Sequence, residues 1–496
     1  MVSLEQIVIH LAACRVELYP WQLEGLRWML QCEQVPVPGG SGGGGGLLAD
    51  DPGLGKTYTS LGLVVGDTLD PARRSSTTLV VVPTSIASQW VEAGEHLLGS
   101  GAVWFYYGPQ RQLTVGPQHR LVVTTYGVLQ RDQALLEATW DRVILDEIHY
   151  LKNYQSKTSQ RARQLVGTHR WGLTGTPYQN SSEEVASLFR FVCDIRSNSA
   201  FVQVNTDLPR LVRERMLRRT KAETARQSQG TIPLAGLTVE TTEVDFRTEA
   251  ERTIYQTVAR NIATEYQRML GTGKKCHLEA LELLLRLRQC CQHPELGLQG
   301  LSQKFQVPAL DRTRFGEVSS KMLALGELLG EHPDEPGLVF SPFRGELELL
   351  ETYLAGLDYQ VYRLDGSRSG PERQKLLQQV RETAHRHPTV LLVQSRAGGV
   401  GLNLQQFSRV YLMTPDWNPS ADFQAIARAH RLGQTRHVYV KTLVIRDPCS
   451  VDRRILQVQQ QKQDGMEQLL GERCGVQGRQ AHRFTPEVWS QLLVGC

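Results

Sequence analysis

The chain has 496 residues, of which 41% are hydrophobic and 21% are charged, and its formal net charge is +4. This composition excludes an intrinsically disordered chain, and the length exceeds what one hydrophobic core usually serves, so two or three domains are expected. The nine cysteines show no C-x-x-C spacing, and no apolar run approaches the roughly 20 residues that span a bilayer. We therefore expect a soluble intracellular protein with no membrane partner.

Short β-branched segments, each followed by a helical or loop-like stretch, recur along the chain. In the first half they are residues 77–83, 119–126, 141–147 and 170–176. In the second half they are residues 337–341, 359–366, 389–395, 409–415 and 437–444. Because parallel strands that are buried on both faces appear as continuous apolar runs, this pattern predicts an α/β protein with two parallel-sheet domains.

Between the two sets of strands the pattern changes to helical periodicity, most clearly at residues 249–270 and 278–291. The predicted domains are an N-terminal lobe at 1–245, a helical protrusion and connector at 246–318, a C-terminal lobe at 319–460 and a helical tail at 461–496. Within the first lobe we expect a flexible glycine-rich insertion at 36–46 and the start of a helical protrusion at 182–230.

Two glycine-rich segments near the N-terminus predict different structures. Residues 39–46, GGSGGGGG, have no fixed spacing to a reactive side chain, and such runs behave as flexible coil. Residues 49–57, ADDPGLGKT, place Gly53 and Gly55 in a strand-to-helix turn, where backbone N–H groups converge on a phosphate. Lys56 can then reach the β- and γ-phosphates of a nucleotide, and the Thr57 hydroxyl can ligate Mg²⁺.

The phosphate-loop pattern is incomplete, because Asp50 occupies the position of its first glycine. A plain glycine turn therefore remains an alternative for this segment. The segment VILDEIHYLKN, residues 143–153, favours the nucleotide site, since an apolar strand delivers two adjacent carboxylates at its end. Asp146 can hold Mg²⁺ through water, Glu147 can act as general base, and His149 can relay that chemistry.

A basic segment near the C-terminus, QAIARAHRLGQ, carries Arg428 and Arg431 three residues apart. This spacing predicts that both guanidinium groups share one face of a helix. Such a face is usually only solvated surface, but a planar guanidinium also donates bidentately to a phosphate.

Motifs that follow one another along most of the chain resemble those of the Swi/Snf-like DNA-dependent ATPases of helicase superfamily two. They are LYPWQLEGLRWML (18–30), LLADDPGLGKT (47–57), VVPTSIASQW (81–90), VTTYGVL (123–129), LDEIHYLKN (145–153), GLTGTPYQN (172–180), MLRRTK (216–221), LRLRQCCQHP (285–294), LVFSPFRGELELLE (338–351), YRLDGSRS (362–369), SRAGGVGLNL (395–404) and DWNPSADFQAIARAHRLGQTRHVYV (416–440). The last segment is similar to the branch that contains helicase-like transcription factor and DNA-repair translocases. Departures from the family pattern include Asp51-Pro52 and Ile148, none of which removes a catalytic charge.

The resemblance implies two RecA-like parallel-sheet lobes with helical protrusions between them, and ATP and Mg²⁺ as cofactors. The residues implied to bind the nucleotide are Gln22, Asp51, Gly53, Leu54, Gly55, Lys56, Thr57 and Gly401, with Thr57 and Asp146 holding Mg²⁺. The implied catalytic residues are Lys56, Asp146, Glu147, Arg428 and Arg431, the two arginines reaching the nucleotide from the second lobe.

By the same resemblance, a set of residues at strand ends and in loops is expected to grip DNA without reading its sequence. These residues are Thr84, Ser85, Thr124, Thr125, Thr174, Thr176, Gly398, Gly399, Asn403 and Trp417. His149, Gln424 and Gln434 are expected to couple DNA binding to hydrolysis.

The function implied is an ATP-dependent translocase on double-stranded DNA that remodels chromatin or displaces protein–DNA complexes. Nucleosomes or DNA-bound proteins are the expected further partners, and the expected location is the nucleus. A strand-separating DNA or RNA helicase shares the same core, and a non-catalytic nucleic-acid-binding scaffold is a further alternative. The presence of Lys56, Asp146, Glu147 and Arg431 argues against the scaffold.

Overall fold

The computed structural model describes residues 2–37, 43–73, 75–178, 181–195, 201–227, 235–271, 277–301, 318–368, 370–384, 386–395, 403–470 and 492–493. These residues form two compact units that divide near residue 232, and each unit has its own parallel sheet. The prediction of two parallel-sheet α/β lobes is therefore confirmed. No helix in these ranges combines the length and the apolar composition needed to cross a lipid bilayer.

The first unit is built on a seven-stranded sheet with the order β3-β4-β2-β5-β6-β1-β7. Its strands are β1 (Gly45–Leu48), β2 (Thr78–Val82), β3 (Val103–Phe105), β4 (Leu121–Thr125), β5 (Thr139–Asp146), β6 (Val166–Leu173) and β7 (Met216–Leu217). Its helices are α1 (Leu4–Ala13), α2 (Pro20–Gln34), α3 (Lys56–Leu69), α4 (Ala87–Leu98), α5 (Tyr126–Leu129), α6 (Ala134–Glu137), α7 (Lys157–Gln164), α8 (Ser182–Val192), α9 (Phe201–Arg215) and α10 (Lys221–Gln227).

The second unit is built on a six-stranded sheet with the order β10-β11-β9-β12-β13-β8. Its strands are β8 (Leu237–Val244), β9 (Gly337–Ser341), β10 (Gln360–Leu364), β11 (Thr389–Gln394), β12 (Arg409–Leu412) and β13 (Val438–Ile445). The helices are α11 (Glu249–Gly271), α12 (His277–Gln292), α13 (Pro294–Leu301), α14 (Ser320–Gly330), α15 (Arg344–Ala355), α16 (Gly370–Thr383), α17 (Pro419–Ala429) and α18 (Val451–Leu470).

The central strands are apolar because they are covered on both faces. Every residue of β2, β4 and β9 is buried. The first unit also contains a buried cluster of salt bridges. Arg142 of β5 bonds Glu33 of α2 at 2.6 Å and Asp67 of α3 at 2.7 Å. Burial alone would raise the pKa of Glu33, but the Arg142 guanidinium lowers it to about 2. This cluster fixes α2 and α3 against β5.

The prediction of a flexible glycine-rich insertion at residues 36–46 is wrong for the last two of these residues. Gly45 and Gly46 begin β1, which is buried and pairs in parallel with both β6 and β7. A side chain at Gly45 would collide with the carbonyl oxygen of Arg170, and a Cβ at Gly46 would lie 2.7 Å from the carbonyl oxygen of Arg215. These glycines are therefore required by close backbone approach rather than by flexibility. Residues 38–42 of the insertion lie outside the described residues.

The predicted boundary at residue 245 is also wrong. β8 pairs in parallel with β13 from Leu237 to Val244, so these residues belong to the second sheet. The helices predicted as a protrusion and connector contribute to the same unit, because Tyr255 and Leu287 share one buried cluster with Val339 and Leu392 of the second sheet.

Candidate nucleotide site

A loop between β1 and α3 has the geometry that binds phosphate groups. Gly53 and Gly55 adopt φ angles of +93° and +80°, which side-chain-bearing residues rarely adopt. α3 begins at Lys56, directly after Gly55, so backbone N–H groups of its first turn open toward the loop. A Cβ at Gly55 would collide with the side-chain amide of Gln22. Both positions therefore favour glycine, Gly53 through its φ angle and Gly55 through its φ angle and its close approach to Gln22.

The side chain of Lys56 folds back over this loop. Its Nζ donates to the carbonyl oxygen of Asp50 at 2.6 Å and to that of Asp51 at 3.3 Å. Thr57, the second residue of α3, is half-buried beside it. The ammonium group is therefore held at the loop by weak carbonyl acceptors, which the stronger acceptor oxygens of a phosphate can replace.

The start of α2 is clamped onto the same loop. The side-chain oxygen of Gln22 accepts a hydrogen bond from the Tyr19 N–H at 2.8 Å, and its Nε2 donates to the carbonyl oxygen of Leu54 at 3.2 Å. Trp21 Nε1 donates to the same Leu54 carbonyl at 3.0 Å, while the Leu54 side chain is buried. Contact between Gln22 and adenine stays a prediction, since in this structure the amide serves the loop.

An ion pair that sequence reasoning missed supports the loop from the other side. The carboxylate of Asp50 accepts hydrogen bonds from the Arg219 N–H and Nε at 3.0 Å and from its Nη2 at 2.5 Å. Asp51 accepts a hydrogen bond from the Lys221 N–H at 3.0 Å. Asp50 and Arg219 are separated by 169 positions, so no local pattern predicts their contact. The family motif at 216–221 was the sequence feature that indicated a functional role for this segment.

The acidic pair lies at the end of β5. Asp146 Oδ1 accepts a hydrogen bond from the Glu147 N–H at 2.9 Å, and Oδ2 accepts one from Trp90 Nε1 at 2.7 Å. Glu147 adopts the left-handed φ of +52°, which turns its side chain away from the strand direction. Burial and the neighbouring Glu147 charge raise the pKa of Asp146 to about 6. The two carboxylates therefore repel each other at close range.

The register of the sheet brings the loop and the acidic pair to one edge. Leu48 at the end of β1 and Asp146 at the end of β5 both pair with Leu173 of the intervening strand β6. Neighbouring strands lie about 4.8 Å apart, so the two strand ends are separated by about 10 Å. In open parallel sheets, ligands bind at this carboxyl edge.

His149 connects the acidic pair to the loop after β6. Its Nδ1 lies 3.2 Å from Glu147 Oε2 and 3.4 Å from Thr174 Oγ1. Thr174 Oγ1 in turn accepts a hydrogen bond from the Thr176 N–H at 3.1 Å. His149 thus contacts both the acidic pair and the loop after β6. Its role in coupling DNA binding to ATP hydrolysis stays a prediction.

Magnesium fits the donor set of this edge. The Asp146 carboxylate and the Thr57 hydroxyl are hard oxygen ligands of the type that Mg²⁺ prefers. A divalent cation would also relieve the repulsion that raises the pKa of Asp146. The glycine cradle, the lysine and the acidic pair together suit a nucleoside triphosphate with its metal ion.

The residues of the first unit that are predicted to contact DNA differ in their solvent exposure. Thr84 and Ser85, just before α4, are exposed. Thr124, Thr125 and Thr174 are buried, and their hydroxyl groups bond within the protein, Thr124 donating to the Tyr106 carbonyl at 2.9 Å and Thr125 accepting from the Val128 N–H at 3.3 Å. Thr176 is also buried. Contact between these four threonines and DNA stays a prediction, and in this structure the hydroxyls of Thr124, Thr125 and Thr174 bond within the fold.

In the second unit, the prediction that Arg428 and Arg431 share one face of a helix is wrong. Arg428 lies in the last turn of α17, but the helix ends at Ala429 and Arg431 follows its C-cap. Arg428 is buried and Arg431 is half-buried, and burial lowers the pKa of Arg431. Gln424, predicted to couple, lies half-buried in α17.

The remaining predicted residues of the second unit have mixed surroundings. Gln434 is buried, and its Nε2 donates to the carbonyls of Gln405 at 2.9 Å and Phe407 at 3.2 Å, so it fixes the loop after α17. Asn403 is exposed. Trp417 is half-buried, with the Arg288 guanidinium 4.8 Å from its ring. Gly398, Gly399 and Gly401 lie outside the described residues.

Comparisons with known proteins bear on both units. Residues 21–296 match the SNF2-related domain, and residues 320–433 match the helicase conserved C-terminal domain. The chain is 28% identical to DNA repair protein RAD5B of Arabidopsis thaliana over 84% of this chain and 45% of that protein. It is 30% identical to probable ATP-dependent DNA helicase CHR12 of the same plant over 86% of this chain and 40% of that protein.

The chain therefore spans less than half the length of these two relatives. Among solved structures, it is similar to the Sulfolobus solfataricus SWI2/SNF2 ATPase core in complex with dsDNA. The sequence identity is 24% and the TM-score is 0.42, with 92% of this chain and 94% of that chain covered.

Proposed function

This chain belongs to the family of proteins with an SNF2-related domain, and from that membership and the geometry of its first unit we propose that it is a DNA-dependent ATPase that moves along double-stranded DNA. The observation that carries the proposal is the position of the phosphate loop and the acidic pair at one sheet edge, in register across a single strand. Names of the relatives, a DNA repair protein and a probable ATP-dependent DNA helicase, support DNA as the polymer.

Each side chain at this edge has a role that its surroundings favour. Lys56 exchanges its carbonyl partners for the β- and γ-phosphate oxygens of ATP, and the N-terminus of α3 favours the same negative charge. Glu147 accepts a proton from the attacking water, while Thr57 and Asp146 would hold Mg²⁺. When bound, Mg²⁺ neutralises charge on the phosphates.

Positively charged groups of the second unit are proposed to complete the chemistry. By the family resemblance, Arg428 and Arg431 stabilise the charge that develops on the transferred phosphoryl group. A planar guanidinium is suited to this role because it stays charged and donates bidentately. Arginines in this role accelerate phosphoryl transfer by about 10³–10⁵-fold in other nucleotide hydrolases.

The polymer is proposed to lie against exposed polar side chains that do not read sequence, among them Thr84, Ser85 and Asn403. Chromatin remodelling, displacement of DNA-bound proteins such as nucleosomes, and a nuclear location are proposed from the same family membership. The alternatives are strand separation, which release of a labelled duplex strand detects, and a non-catalytic scaffold, which undetectable ATP turnover would indicate.

The test is ATP turnover of the full chain with no nucleic acid, and then with duplex DNA, single-stranded DNA and duplex RNA of equal length. We expect duplex DNA to stimulate phosphate release at least about 10-fold, and the other polymers to stimulate it less, because translocases grip the paired backbone. Equal turnover with every polymer would contradict DNA dependence. Undetectable turnover under all conditions would favour the scaffold.

A further inference from the structure

Trp90 makes a contact that its burial alone does not require. It lies in α4, its side chain is 1% exposed, and its Nε1 donates to Asp146 Oδ2 at 2.7 Å. Trp140 of the same unit is buried to the same degree, but its Nε1 donates to a backbone carbonyl, that of Leu135, at 3.2 Å. A buried indole needs an acceptor, and a backbone carbonyl is sufficient. The acceptor of Trp90 is instead the carboxylate that would hold the metal ion.

The hydrogen bond fixes the rotation of that carboxylate. In the part of the chain that the structure describes, the Asp146 oxygens accept two hydrogen bonds, Oδ1 from the Glu147 N–H and Oδ2 from Trp90. Each carboxylate oxygen has two lone-pair sites, so one site on each oxygen stays available for a metal ion or its bound water. Without the indole N–H, only the adjacent backbone amide would orient the group, and the carboxylate could rotate about its χ2 bond.

We propose that Trp90 is a positioning residue for Mg²⁺, holding the Asp146 carboxylate in the orientation that the metal ion and its water ligands require. This inference rests on the proposed function, and it assigns to Trp90 an action through Asp146 rather than a contact with the nucleotide. Partners of this kind, which orient a metal ligand, typically change metal affinity or activity by about 10–100-fold when they are removed.

The test compares Trp90→Phe with a matched control, Trp140→Phe. Both changes remove one buried indole N–H and leave a smaller ring, so both should lower the Tm. For each protein we would measure the affinity for a fluorescent ADP analogue in EDTA and over a Mg²⁺ titration, and the Mg²⁺ concentration that gives half-maximal DNA-stimulated ATP turnover.

Trp90→Phe is expected to bind the ADP analogue normally in EDTA but to need at least about 10-fold more Mg²⁺ for half-maximal binding and turnover. Trp140→Phe is expected to keep the Mg²⁺ dependence of the parent. If Trp90→Phe does not fold, 3-benzothienylalanine at position 90 serves instead, because its sulfur replaces the N–H and preserves the ring shape. The same Mg²⁺ shift is expected for it.

An unchanged Mg²⁺ requirement in Trp90→Phe or in the benzothienyl protein would overturn the inference while leaving the proposed function intact. An equal shift in Trp140→Phe would also overturn it, since general destabilisation would then explain the result. If the parent chain itself shows no Mg²⁺-dependent nucleotide binding, the proposed function fails and the inference fails with it.

Discussion

Replacing Lys56 with alanine is expected to lower DNA-stimulated ATP turnover by about 10²–10³-fold, the usual cost of removing one preorganised charge from a reacting group. Lys56 is the first residue of α3, and its ammonium group lies over the phosphate loop, 2.6 Å from the Asp50 carbonyl oxygen. Alanine keeps the helix but leaves the β- and γ-phosphates without their cation. The measurement is phosphate release at saturating ATP and duplex DNA.

The matched control is Lys157→Ala. Lys157 is also the first residue of a helix, α7, in the same unit, but it is exposed and lies outside the nucleotide site. Its removal should leave turnover within a factor of about two of the parent, since exposed charges contribute little. Turnover of Lys56→Ala at the level of Lys157→Ala would remove Lys56 from the catalytic set.

Replacing Arg219 with methionine is expected to lower the free energy of unfolding of the first unit by about 3–5 kcal/mol, because it leaves a buried charge unpaired. The Asp50 carboxylate is 2% exposed and lies 2.5 Å from Arg219 Nη2. Among the described residues, the hydrogen-bond donor that remains for this carboxylate is the backbone N–H of residue 219. Urea unfolding, followed by circular dichroism, measures the loss.

Two comparisons make this prediction specific to the buried pair. Arg210→Met breaks the exposed helical pair with Glu214, whose side chains are 60% and 44% exposed, and should cost less than about 1 kcal/mol. Adding Asp50→Asn to Arg219→Met should recover part of the loss, because the unpaired charge is removed. Strictly additive losses in the double variant would show that the two side chains do not act as a pair.

The strands that sequence analysis predicted share one property, which is a continuous apolar run. All nine predicted runs overlap an observed strand, for example Thr78–Val82 within 77–83, because central strands buried on both faces have no polar alternation. β1 was missed because its sequence, GGLL, begins with two glycines. β8 was missed because its sequence, LTVETTEV, is largely polar and lies mostly exposed at a sheet edge, so it has no continuous apolar run.

The family and the phosphate loop could be predicted because their signals are local in sequence. The matched SNF2-related and helicase C-terminal domains confirm the resemblance that the ordered motifs indicated. Trp90 and Arg219 could not be assigned roles, since their partners are 56 and 169 positions away and no spacing rule connects them. Such contacts depend on which strands become neighbours in the sheet.

Local physical causes explain where side chains differ from the expectation. Contact between DNA and the threonines after β4 and β6 stays a prediction, but a hydroxyl at a strand end can also cap the following turn, as Thr125 does for α5. Arg431 was expected on a helical face, but α17 ends two residues earlier, at Ala429, and Gly433 adopts a left-handed φ of +88° in the loop that follows. Helix ends are the least predictable feature of a periodic pattern.

We propose that ATP hydrolysis moves this chain along double-stranded DNA without separating its strands. The decisive measurement is displacement of a labelled third strand from a DNA triplex, with release of a labelled strand from the underlying duplex followed in the same reaction. We predict that the third strand is released only while ATP is hydrolysed and that the duplex stays paired. A third strand that remains bound while ATP is consumed, or a duplex strand that is released with it, would contradict the claim.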